Sequence, residues 1–158
     1  MVRRNDAAQA RQAERQLHTA VQRFQRAVIR TLCQAGEEIV NKCRNAGKPH
    51  HYKDQTGNLR SSTGYILLID GRVVSMSDFA AVSGPKGNGK DGVKDGKQYA
   101  KDISKRHRTG IALIVVAGMN YAEYVEKRGW DVLISGKLHA ERIVPSMLRQ
   151  LASIQHGQ

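Results

Sequence analysis

Three things are scarce in this chain: long apolar runs, cysteines, and acidic residues to balance its bases. The longest apolar stretch lies near Ile111 to Val116. It is far shorter than the roughly 20 residues that cross a bilayer, so no membrane span is expected. The N-terminus opens with Val2, Arg3, Arg4 and Asn5 ahead of an Ala/Gln/Arg-rich stretch, which is not the apolar centre of an export signal. The protein is therefore read as soluble and unexported. Only Cys33 and Cys43 are present, ten positions apart in one predicted helix. That places them about 15 Å apart, whereas a disulfide needs Cα atoms within about 7 Å, so two reduced thiols are expected. Proline is absent between Asp6 and Ala46, leaving nothing to interrupt a helix there.

The shortage of acid leaves a formal charge of +12, with 26 Lys and Arg against 14 Asp and Glu. The excess is localised. Residues 1–30 hold seven arginines against Asp6 and Glu14, and residues 81–110 hold eight Lys and Arg against Asp91, Asp95 and Asp102. Two cationic segments suit a polyanion such as double-stranded DNA, and equally suit solubility or docking onto an acidic protein. Arg11, Arg15, Lys86, Lys90, Lys94 and Lys97 are the candidate contacts. Tyr99 is the one aromatic residue within 83–109, and no helix-turn-helix, RRM or zinc pattern is present.

The 158 residues, 40% of them hydrophobic, suffice for one core. Leu17, Val21, Phe24, Val28, Leu32, Ile39 and Cys43 recur at helical spacing, which predicts a long amphipathic helix over about 6–46. Before Leu17 its stripe holds only Ala7, Ala10 and Ala13, so the first turns are expected to fray or to lie against a neighbour. Gly36 is a candidate bend, and Gly47-Lys48-Pro49 a helix end. Thr56 reads as the N-cap of a short turn, with its hydroxyl accepting from the Asn58 or Leu59 amide. Asp70-Gly71 between β-prone runs predicts a type I′ hairpin.

Residues 83–109, rich in Gly, Lys and Asp, read as a mobile loop with at most a short helix around Gln98 to Lys105. Gly110 to Gly118 reads as a strand buried on both faces. Asn120 and Glu123 suggest a capping box, Tyr121, Tyr124 and Val125 a shared helical face, and Glu123 with Lys127 an exposed ion pair. The last helix, from about Ser135, carries Leu138, Ile143, Met147, Leu151 and Ile154. Pro145 should kink or break it one turn earlier. The expected fold is α+β: a long N-terminal helix, an antiparallel sheet of three or four strands with a β-hairpin, and C-terminal helices packed on the sheet.

No catalytic, cofactor or metal constellation is complete. Gly84-Pro85-Lys86-Gly87-Asn88-Gly89-Lys90-Asp91 has phosphate-loop spacing until Asp91, which stands where the magnesium-binding Ser or Thr belongs. No buried strand is expected before it and no helix immediately after. His50-His51 lacks a second ligand pair at metal spacing. Glu123 and Glu126 neighbour one another on a helix, but capping and ion pairing account for Glu123 without chemistry.

Two short segments carry more information: DQTGNLRSS over 54–62 and NYAEYVEKRG over 120–129. In this order, with a basic helix in front and an apolar helix behind, the chain resembles the small neck or tail-completion proteins of long-tailed bacteriophages. In that family D-T-G-x-L-x-x-S closes the N-terminal helical part, and Y-A-x-Y-V-E followed by Gly leads toward the C-terminal helix. Thr56, Gly57, Leu59 and Ser62 match the first pattern, and Tyr121, Ala122, Tyr124, Val125 and Glu126 match the second. The chain departs from it after Glu126, where Lys127, Arg128, Gly129 and Trp130 replace an aromatic or His followed by Gly-Thr. It departs again at Asp131-Val132-Leu133, which replaces Pro-Phe.

The resemblance implies a non-enzymatic virion protein without cofactors. It would be made in the bacterial cytoplasm and built into the head-tail junction as a ring of identical subunits. Its partners would be the connector on the portal side and the tail-tube or terminator proteins, with double-stranded DNA close by and no membrane. The motif residues would be scaffolding, so Leu59→Asp and Tyr124→Asp are both expected to misfold.

Overall fold

A computed structural model describes residues 2–45 and 52–156, with side chains described for 6–45 and 52–153. The expected end at Gly47-Lys48-Pro49 and the His50-His51 pair lie outside these residues. The fold is α+β, as the patterning predicts. Helix α1 (Val2–Arg44) is followed by a single turn, α2 (Asn58–Ser61), and the hairpin β1 (Thr63–Ile69) and β2 (Arg72–Met76). Then come α3 (Lys90–Ser104), β3 (Ile111–Ala117), α4 (Ala122–Lys127) and α5 (Ile134–His156).

Three antiparallel strands lie in the order β2-β1-β3, which makes β1 the central strand. The turn has positive φ at both Asp70 (48°) and Gly71 (75°), the pair that a type I′ turn demands. Asp70 also accepts from the Gly110 amide at 2.9 Å, tying the hairpin to the start of β3. Beyond the turn, Leu68 pairs with Val73 but Leu67 with Ser75, so the ladder takes up one extra residue in β2.

Side-chain alternation along β1 sorts the core into two layers. Ile66 and Leu68 pack with Phe79, Ala100 and Val116 on the α3 side. Leu67 packs with Val28 and Leu32 of α1 on the other, where Val144 and Leu151 of α5 join them. The sheet therefore lies between α3 and the α1–α5 pair. Gly36 serves this packing rather than a bend: a Cβ there would stand 2.8 Å from the Tyr65 ring, and α1 runs through the position without interruption.

Four expectations are corrected. Residues 90–104 form helix α3, not a mobile loop, because Gly92 and Gly96 face inward where a side chain would strike the backbone of Asn58 and Ser62. The glycines that argue against a helix locally are what let it approach the body. Strand β3 is an edge strand and only partly covered, with Ile111 55% exposed; the strand buried over nearly its whole length is β1. Helix α5 passes through Pro145 without a break. The N-cap of α4 is Tyr121 with no side-chain cap, so Asn120 and Glu123 do not form a capping box. Glu123 does make the expected ion pair with Lys127, at 2.6 Å.

Candidate functional site

The segment 54–62 is a knot of short-range polar contacts. Gly57 caps α2 with φ at +76°, and its α-carbon lies so close to the Val82 carbonyl that a Cβ has no room. Thr56 is therefore not the N-cap that the sequence suggests, but its Oγ1 does accept from the Asn58 amide at 3.3 Å, as anticipated. A second acceptor escaped the sequence reading: Asp54 Oδ2 takes the Arg60 amide at 2.8 Å. Its signal was present, since a carboxylate shortly before a helical turn is a natural acceptor for orphan amides. Ser61 Oγ donates to the Gly57 carbonyl at 2.7 Å and accepts from the Val82 amide at 2.8 Å. Ser62 and Thr63 both donate to the Leu59 carbonyl.

This knot holds the glycine loop and the start of α3. The Lys86 amide donates to Gln55 O at 2.7 Å, the Gly89 amide to Thr56 O at 3.1 Å, and the Gly92 amide to Asn58 Oδ1 at 3.2 Å. These bonds decide the fate of the phosphate-loop pattern. A helix does follow it at once, contrary to expectation, but the amides of Gly84, Lys86, Gly87, Gly89 and Lys90 all donate to partners within the chain. Phosphate binding needs such amides free and convergent. Here those of Lys86 and Gly89 strap the loop to Gln55 and Thr56, and those of Gly84, Gly87 and Lys90 close the loop on itself.

The second segment meets the first. Ala122 is buried with Tyr52, Leu59, Ala117 and Val132, and Val125 packs against the same cluster. Tyr121 reaches across to the Thr56 side chain; burial, and then the nearby Asp54, raise its ionisation above the ordinary tyrosine range. Glu126 Oε1 accepts from the Leu133 amide at 2.9 Å, so it fastens the segment that leads into α5. Asp131 then accepts from both the amide and the hydroxyl of Ser135. Tyr124 does not share the buried face. It is 57% exposed, with the Arg128 guanidinium 4.6 Å above its ring.

The cationic candidates separate into two groups. Lys90, Lys94 and Lys97 stand in one row along the outer side of α3, continued by Lys101, while Asp91, Asp95 and Asp102 run beside them about a quarter-turn away. Lys86 sits in the preceding loop and is exposed. Arg11 and Arg15 lie on α1, whose packed part covers the opposite face of the sheet. Both are exposed, and Arg15 Nε donates back to the Arg11 carbonyl at 3.2 Å.

An apolar groove of about 960 Å³ opens between α1, β3 and α5. Phe24, Val28 and Leu32 form one wall, Ile111, Leu113 and Val115 another, and Val144 with Leu148 a third. The sequence reading did not anticipate it, because it exists only once α5 sits on α1 and leaves β3 half covered. No protein-family model, curated protein or solved structure matches the chain.

Proposed function

We propose that this is a structural protein of a tailed-phage particle, assembled as a ring at the junction of head and tail and contributing to tail assembly and joining. The observation that carries the reading is the seam between the two motifs. Thr56 with Tyr121, and Leu59 with Ala122 and Val125, join the two segments on which the resemblance rests into one cluster. Apart from Tyr124, side chains of the motifs are used on internal hydrogen bonds and packing, which suits scaffolding that presents surfaces to neighbouring subunits. Averaged images of intact particles carrying a labelled version of the chain test this directly. Density at the junction between capsid and tail is expected; particles that are complete and infective without the subunit refute the reading.

A stand-alone nucleic-acid-binding protein is the second reading, favoured by the lysine row on α3. On that reading the purified chain binds duplex DNA tightly at physiological salt, and affinity falls steeply as salt rises.

A further inference from the structure

We propose that the exposed N-terminal stretch of α1 is a self-pairing arm: two copies lay these helices antiparallel, apolar stripe against apolar stripe, about a two-fold axis at Leu17. Every side chain from Asp6 to Arg26 is exposed, so a stretch of 21 residues, close to half of this helix, stands clear of its own body. Within that stretch Leu17 is 67% exposed, Val21 45% and Phe24 43%. The helix is unbroken from Val2 to Arg44, so the stripe cannot fold back to cover itself.

Its two faces are sorted. At 100° per residue, Ala10, Ala13, Leu17, Val21 and Phe24 fall within about 80° of arc. Arg11, Arg15, Arg23, Arg26 and Arg30 fall within about 120° on the opposite side. Pairing through the stripe therefore turns the arginines of both copies outward.

The stripe is also self-complementary in size. Under a two-fold axis at Leu17, small Ala10 meets large Phe24 of the second copy, Ala13 meets Val21, and Leu17 meets Leu17. The partner's Ala7 then arrives opposite Ala27, beside Phe24 and Val28 where these line the apolar groove. Small residues at the tip and bulky ones at the base are what an antiparallel pair needs for even spacing.

About 20 residues of overlap give a contact some 30 Å long, covering on the order of 600 Å² on each copy. The groove mouth brings this toward the roughly 800 Å² per partner of a stable interface. A membrane surface fits less well, because three large apolar residues among alanines offer little area to insert. An acidic partner would engage the arginine face, which the pairing leaves open.

Sedimentation of the full chain at ~0.15 and ~0.5 M salt tests the pairing. A monomer–dimer equilibrium is expected, tighter at the higher salt because two like-charged arms are being screened. Leu17→Asp with Val21→Asp should give a monomer whose near-UV circular dichroism is unchanged, since the arm touches none of the core. Single cysteines, placed in a Cys33→Ala background, map the register. Leu17→Cys should cross-link to itself; Ala10→Cys should not, but should cross-link when mixed with Phe24→Cys.

A chain that stays monomeric at both salts overturns the proposal, as does equal self-cross-linking from positions 10 and 17, which would mean parallel arms. Protection of a Leu17→Cys thiol by duplex DNA or by anionic vesicles, but not by raising protein concentration, overturns it too. The pairing does not depend on the head-tail reading: a dimer with this register, found in a protein absent from any particle, leaves it intact.

Discussion

Gly57 lies under the Val82 carbonyl with its backbone in the left-handed region, so the residue after Thr56 has to be glycine twice over, for conformation and for space. Leu59, two residues on, is 2% exposed at the centre of the seam, whereas Tyr124 stands mostly in solvent. The two aspartate substitutions expected to act alike should therefore part company. Leu59→Asp buries an unpaired carboxylate and should abolish cooperative unfolding; Tyr124→Asp should change the unfolding free energy, read by urea denaturation, by no more than about 1 kcal/mol. The identity of the motif residues was readable in the sequence, but which side of a six-residue helix would be covered was not.

Buried acids give a pH signature at the same scale. Burial, reinforced by Asp131, pushes the Cys43 thiol up to about 12, and burial raises the Tyr52 hydroxyl well above its ordinary value. Each stays protonated in the folded chain at pH values where the unfolded chain has already ionised. Stability should thus hold below about pH 9 and decline as pH rises through the alkaline range. Urea midpoints that stay level from pH 8 to pH 11 would contradict this.

At the scale of elements, α3 reverses an ordinary rule. Alanine stabilises an exposed helix interior over glycine by about 1 kcal/mol, but a Cβ at Gly96 would lie 2.6 Å from the Ser62 carbonyl and 2.7 Å from the Phe79 ring. Gly96→Ala should therefore lower the melting temperature despite its better propensity, by more than the propensity gain. The outer side of the same helix is free to change. Lys86→Gln, Lys90→Gln and Lys94→Gln together should leave far-UV circular dichroism and the melting temperature unchanged. If α3 meets duplex DNA, the triple variant should also flatten the slope of log affinity against log salt by about 2 to 3.

The long helix, the hairpin and the start of the last helix were legible because each rests on local signals: a helical stripe, Asp-Gly, a run of helix formers. Helix α3 was not, because its glycines mean opposite things in water and against a backbone. Pro145 misled in a milder way, since loss of one backbone donor did not stop α5 from continuing.

For the whole molecule, sequence by itself determined the α+β class, the turn at Asp70-Gly71, the exposed basic character and the order in which the two motifs appear. These depend on residues close together in the chain, and neighbours act on one another before any fold exists. Only the tertiary structure decided that the motifs form one seam, that the glycine loop spends its amides internally, and that an apolar groove opens beside an uncovered arm. Those features depend on which surfaces meet across tens of residues. Packing two helices on one side of the sheet and one on the other settles it, and no local pattern encodes that choice.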